Sequence, residues 1–369
     1  MTDLPDIARR IAAAALAAVD PERLVREHIG GHRDRRFDAV LAVGKAAAAL
    51  ARGVPDPPAR RLLIRPHTSP PLGDPSWEEL SGGHPLPDRL SLAAGERLRD
   101  WLIGIGPDET LLALISGGSS ACIELPADGL SLNDVIRENR RLLASGLPIH
   151  EVNAVRKRLS ALKGGGALRL THGRIDRVVV LILSDVPGDD PGTVGSGLFE
   201  GADTILLGSV RTAVAGAAAE ARLQGFSVTE GDLQGEASKA GRGLVERGRS
   251  VSGGVGNSVA LILGGETAVT LSEDHGRGGR NGELALAAAR DLAEGEVVLA
   301  LATDGEDGLT GTAGAVVDHG TWKACPDPEA ALARHDSLTA LEAVPGALLR
   351  TGVTGTNVGD LALYLRRMK

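Results

Sequence analysis

Aliphatic and β-branched runs alternate along this chain with glycine-rich turns and alanine-rich amphipathic segments. Residues 37–54 (FDAVLAVGKAAAALARGV), 109–122 (ETLLALISGGSSAC) and 177–190 (RVVVLILSDVPGDD) each carry a continuous apolar run, the pattern of a strand buried on both faces. Strand, turn and helix in that order predict a layered α/β domain with a parallel sheet. Its ligands belong at the carboxyl ends of the strands, where these turns lie. A second series opens with SVALILGGETAVTL (258–271), continues with a helix over 281–295 and adds EVVLALATDGEDG (296–308); it predicts a second α/β domain. Between the two series, residues 208–226 read as a helix, and the Gly and Ser density near 249–257 reads as a loop. The expected domains are therefore 1–235 and 236–369.

Length agrees with that division, because 369 residues exceed what one hydrophobic core usually supports. A content of 43% hydrophobic and 24% charged residues is ordinary, whereas 50 glycines and 2% aromatic residues imply many tight backbone turns. The net charge of −8 argues against nucleic acid as a partner, since displacing condensed counterions needs a basic face. Small anionic ligands remain open, because local charge can oppose the total. The opening MTDLPDIARRIAAAALAAVD is broken by Arg9 and Arg10 and reads as an amphipathic helix, not a signal peptide. No run approaches the roughly 18 apolar residues of a membrane span, so no membrane partner is expected. Cys122 and Cys325 lack metal-site spacing. The cytoplasm is the expected compartment.

Candidate chemistry lies in the turns. Lys45 follows a strand and one glycine at the start of a helix, where the macrodipole is already positive; it is either a solvated lysine or a cation facing an anion. Ser116, Gly117, Gly118, Ser119 and Ser120 offer backbone N–H groups and hydroxyls to a carboxylate or phosphate, or form a plain turn. Residues 150–168 can be written as one helix ending at Gly164, with Asn153, Arg156, Ser160 and Lys163 on neighbouring turns. Asp185, Asp189 and Asp190 follow the most apolar strand, as metal ligands or a base would. Further on, Gly265 and Glu266, Arg277, Arg280 and Asn281, Asp304, Gly305 and Asp307, and Thr356 and Asn357 occupy four polar glycine-rich loops. Carboxylates mixed with cations in this way suit phosphoryl transfer. His84, set between prolines in GGHPLPD, reads more readily as a loop anchor than as a base.

AVGKAA, GGHPLPD, LISGGSSA, IHEVNAVRKRLSALKGG, LSDVPGDD, GGETAVTL, GRGGRNGELAL, ATDGEDG and TGTNVGDL occur in the order expected of the glycerate 2-kinase family, and from about 40 to 365 the chain resembles that family. The resemblance implies a Rossmann-like N-terminal domain (the DUF4147 type) and a smaller C-terminal MOFRL domain, with the active site in the cleft between them. It implies ATP-dependent phosphorylation of the 2-hydroxyl of D-glycerate with Mg2+, and it assigns Lys45 and Arg280 as catalytic cations. The remaining roles are inferred within that frame. Asp189 would be the catalytic carboxylate. Ser116 to Ser120 with Asn153 and Arg156 would bind substrate. Lys163, Gly265, Glu266, Asn281, Asp304, Gly305, Thr356 and Asn357 would bind nucleotide, and Asp185, Asp189, Asp304 and Asp307 the metal. A small molecule is the expected partner, and a homodimer is compatible with it. Two departures stand out: Ser119 replaces the third glycine of the family's usual SGGGSA, and GSGLFEGADT follows SDVPGDD where SGP is usual. Ser119 is thus the expected mark of an altered substrate. The alternatives are a kinase for a related hydroxy acid, a hydroxypyruvate reductase, for which GxGxxG is missing, and a non-enzymatic sugar-acid sensor.

Overall fold

A computed structural model describes residues 3–31, 36–145, 149–171, 175–251, 258–271 and 274–367. The chain divides into two compact units that are not continuous in sequence. One consists of Asp20–Ser209 with Gly355–Asn357, the other of Met1–Val19, Val210–Thr354 and Val358–Lys369.

The first unit is built on β1 (Ala39–Val43), β2 (Arg60–Pro66), β3 (Glu78–Gly82), β4 (Thr110–Ser116), β5 (Arg177–Leu183) and β6 (Asp203–Gly208). All pair in parallel in the order β3-β2-β1-β4-β5-β6, the doubly wound order of a Rossmann-like sheet. Each predicted apolar run is a central strand: every residue of β1 is buried, as is all but the first of β4 and β5. The edge strands β3 and β6 are only partly buried. The helix Arg89–Ile103 starts at a capping box of Asp88 and Ser91 and places Leu98, Trp101 and Leu102 in the core.

The second unit contains β7 (Ser227–Leu233), β8 (Val259–Gly265), β9 (Glu296–Ala302), β10 (Gly314–Asp318), β11 (Leu348–Leu349) and β12 (Asp360–Arg366), in the order β11-β10-β9-β12-β8-β7. Only β7 and β8 pair in parallel; β12 runs antiparallel to both β8 and β9. Leu261, Leu263, Ala362 and Tyr364 pack with the helices Ala237–Ser250 and Arg280–Ala289. Side chains alternate across a strand, so Ala260 and Ile262 face the other way, toward the helices Leu4–Ala18 and Val210–Leu223. Gly264 permits that approach, because a Cβ there would lie 2.6 Å from Val214.

The division differs from the expected 1–235 and 236–369. The helix Val210–Leu223 and β7 belong to the second sheet, because β7 is the parallel partner of β8. The opening helix belongs there too, laying Ile7, Ala8, Ile11 and Ala15 against the helix Val210–Leu223 and β9. The helix Ala237–Ser250 includes residues 249 and 250, and residues 252–257 of the expected loop lie outside the described residues. No described helix is long and apolar enough to cross a membrane.

Candidate active site

In the parallel-sheet unit the strand order reverses between β1 and β4, so their carboxyl ends flank the crevice where such sheets bind ligands. Gly44 ends β1 at φ 113°, and a Cβ there would lie 2.5 Å from Ser116 O and Oγ. This close approach lets Lys45 N donate to Gly117 O (2.8 Å) and Ala46 N to Ser116 Oγ (3.0 Å). Lys45 is thereby fixed at the switch point, half-buried, on the turn into the helix Ala47–Arg52.

The serine loop divides by depth. Ser116 is fully buried, its hydroxyl accepting from Ala46 N and donating to Val43 O (3.3 Å). Ser119 is also fully buried and donates to Ser116 O (3.0 Å). Both hydroxyls are spent on holding the loop. Ser120 is half-exposed and accepts from Ser196 Oγ (3.0 Å), which also lies 3.3 Å from Asn153 Oδ1. Asn153 is buried and reaches Thr193 O (3.4 Å). Gly117 has no room for a side chain because Asp185 occupies the space, and Asp185 accepts from Asn357 Nδ2 (2.9 Å).

The expected single helix over 150–164 is broken. The helix Ile149–Leu159 stops before Ser160, and Gly164 and Gly165 turn the chain with φ of 57° and 76°. Arg156, on the helix, donates to Asn139 Oδ1 (2.9 Å); burial disfavours its charge and Glu124 favours it. Lys163, beyond the helix, is only 2% exposed and pairs with Glu124, itself 1% exposed. That pair is internal. Glu124, which sequence reading passed over, is its counter-ion; a lone acid after an apolar segment carried no signal of it. His84 lies near Lys45 and Arg156, and burial with those two cations pushes its imidazole down to about 4.

After β5 the three aspartates separate. Asp185 packs on Gly117, Asp190 caps its own turn through Gly192 N (3.3 Å) and Thr193 Oγ1 (2.7 Å), and Asp189 sits in the left-handed region at φ 55°.

In the mixed-sheet unit, Asp360 at the start of β12 pairs with Gly265 at the end of β8 and with Ala302 at the end of β9. Antiparallel pairing on both sides thus brings three loops to one place. Arg280 opens the helix Arg280–Ala289 and donates to Asp360 through Nε (2.5 Å) and Nη2 (3.1 Å), while Nη1 pairs with Glu266. Asp360 is fully buried. Burial pushes its carboxyl up to about 7, with the Arg280 guanidinium pulling the other way; for Arg280, burial works against the charge but Asp360 and Glu266 outweigh it and raise the guanidinium above its ordinary value. Asp360 was not among the sequence candidates. Asp307 accepts from Asn281 N (2.9 Å) and Gly282 N (2.7 Å), one on each carboxylate oxygen. It caps the helix of Arg280. Gly265 lies at φ 154° against the Leu233 carbonyl and Gly305 at φ 89° against Gly352, both as backbone fits. Asp304 accepts from Glu306 N (3.1 Å) and Asn281 is buried; Thr356 and Asn357, which belong to the parallel-sheet unit, are buried too.

Among the described residues no three of His, Cys, Asp and Glu gather as a cation site. Asp185 and Asp189 lie in the parallel-sheet unit, and Asp304 and Asp307 in the mixed-sheet unit.

The geometry can be set beside known proteins. Residues 7–215 match the family model described as a domain of unknown function, DUF4147, and residues 259–360 match the MOFRL family. A protein of Agrobacterium vitis provisionally named hydroxypyruvate reductase is 36% identical over 97% of this chain and 94% of its own. The D-glycerate 2-kinase of Thermotoga maritima is 33% identical over 98% of each chain. A solved glycerate kinase structure from Thermotoga maritima matches with a TM-score of 0.87 at 31% identity, covering 98% of this chain and 99% of that one.

Proposed function

Because this chain belongs to the glycerate 2-kinase family, a DUF4147 domain joined to a MOFRL domain, we propose that it is a kinase transferring the terminal phosphoryl group of ATP to the 2-hydroxyl of D-glycerate. The observation that carries this reading is the full-length likeness in sequence and structure to proteins named as glycerate kinases. Site chemistry agrees with it. Phosphoryl transfer asks a protein for positioned positive charge. Lys45 is fixed at the switch point of one sheet, and Arg280 is oriented by two carboxylates on the other.

In this mechanism the 2-hydroxyl oxygen attacks the terminal phosphorus, the new O–P bond forms, and the bond to the bridging oxygen of ADP breaks. A carboxylate of the loop after β5, Asp189 by preference, takes the hydroxyl proton. Lys45 and Arg280 each supply a cation to the charge on the moving group. Asp185, Asp189, Asp304 and Asp307 are the carboxylates that would hold Mg2+ together with the ATP phosphates, and the ion would supply further positive charge there. Cytoplasmic residence and a homodimer belong to the same proposal.

Coupled ADP release over D-glycerate, L-glycerate and other small hydroxy acids tests the activity, and phosphorus NMR of the product fixes the position. Lys45→Ala and Arg280→Ala should each lower kcat at least about tenfold, which corresponds to ~1.4 kcal/mol of transition-state stabilisation. No ADP release with any hydroxy acid would sink the reading. The name hydroxypyruvate reductase among relatives calls for a parallel NADH assay. The single-glycine turn Gly44-Lys45 after β1 lacks the three glycines that hold a dinucleotide pyrophosphate, so no NADH consumption is expected.

A further inference from the structure

His84 is a strand-end side chain that the mechanism above leaves unused. It stands two residues beyond β3 on a loop with little freedom. Gly83 N donates to Asp88 Oδ1 (3.1 Å) and Ser91 Oγ (2.9 Å), His67 N donates to Gly82 O (3.0 Å), and His67 Nε2 lies 2.7 Å from Asp88 Oδ2. Gly82 and Gly83 are each packed too tightly, against Cys122 O and Leu86 O, to carry a side chain. From this anchored loop the ring reaches the glycine of the serine loop: a Cβ on Gly118 would lie 3.5 Å from His84 Cδ2 and 3.0 Å from Lys45 Cγ. Gly118 is left-handed, at φ 81°. The imidazole and the stem of Lys45 thus flank one stretch of bare backbone after β4, in the crevice of the parallel sheet. Among the described residues, no group hydrogen-bonds the His84 ring, whereas both cations near it, Lys45 and Arg156, act on it electrostatically.

We propose that His84 binds the carboxylate of the hydroxy-acid acceptor, donating a ring N–H to one oxygen while Arg156 supplies the opposing charge. The assignment rests on the kinase reading and deepens it by naming the contact that selects an acid over a neutral polyol. Burial and the two cations keep the imidazole neutral above about pH 4. A neutral ring keeps one N–H donor, which it can give to the carboxylate. A protonated ring would crowd a third positive charge beside Lys45 and Arg156.

The test combines steady-state kinetics with calorimetric titration of D-glycerate in the absence of ATP. His84→Ala should raise both the KM and the Kd for D-glycerate about tenfold, ~1.4 kcal/mol, while KM for ATP stays within twofold. His84→Gln, which retains a donor and an acceptor, should recover most of the loss. A KM and Kd for D-glycerate within twofold of wild type in His84→Ala would overturn the proposal while leaving the kinase reading intact. A parallel rise in KM for ATP that Gln does not rescue would also overturn it, since that marks a structural role. If wild type binds D-glycerate in a His84-dependent way but releases no ADP, the subsite stands and the kinase reading fails. If wild type neither binds nor phosphorylates D-glycerate, both fail.

Discussion

A histidine beside two cations resists protonation in the native state and accepts it once unfolded. The native His84 ring is pushed from 6.5 down to about 4 by burial, then by Lys45 and Arg156. Between those values the unfolded chain binds the extra proton, so this residue's contribution is fully favourable above about pH 6.5 and is lost as the pH falls toward 4. His84→Gln removes the titration, and the drop in thermal midpoint between pH 7 and pH 4.5 should be smaller in the variant than in wild type; equal drops would contradict the assignment. At this scale the sequence was legible for charges at strand ends. Lys45 stands just past the carboxyl end of a central strand and Arg280 at a helix start, as the turns around them implied. It was illegible for depth. Ser116, Ser119 and Ser120 are chemically alike in sequence, yet the close approach of Gly44 pulls the first into the backbone network and the turn at Gly118 folds the second inward. The depth of Lys163 was hidden for the same reason, because its buried partner Glu124 lies on a distant segment.

Elements place Arg280 through contacts that no local pattern announces. Its helix begins at Gly279, which has no side chain to cap it, and Asp307 from the loop after β9 substitutes for the missing cap. The guanidinium is then aimed by Asp360, whose carboxylate is fixed by the two-sided antiparallel pairing of β12. Asp360→Asn keeps the shape but loses the charge and one acceptor oxygen. It should lower kcat about tenfold or more with a thermal midpoint within a few degrees of wild type, and Asp360→Ala should lower kcat further. A kcat within twofold of wild type in both variants would show that Arg280 needs no such alignment. The strands themselves were readable, since β1, β4, β5, β8 and β9 are continuous apolar runs. Antiparallel β12 and the breaks around Ser160 were not, because pairing direction and left-handed glycines leave no hydrophobic period of their own.

Across the whole molecule, the α/β class and the presence of two units followed from the repeating strand, turn and helix order, but the units' membership did not. The opening helix has an apolar face at helical spacing, which shows that it packs and not on what. It covers the mixed sheet, with Gly216 admitting Ala18 so closely that any larger residue would collide. Full burial of Ile7 and Ile11 alone contributes about 3–6 kcal/mol at roughly 1.5–3 kcal/mol each, a large share of the 5–15 kcal/mol that holds a typical domain. A chain starting at Asp20 should therefore lose cooperative unfolding of the mixed-sheet unit and bind a hydrophobic dye, while the parallel-sheet unit still melts; an unchanged melting profile would refute this. The place of β12 has a consequence for synthesis. Segments emerge from the ribosome in chain order, and β12 is made after β8 and β9, the two strands that it separates in the sheet. Until it arrives, their facing edges have no partner between them, so the nascent mixed sheet remains two exposed halves while the parallel sheet already has all of its strands.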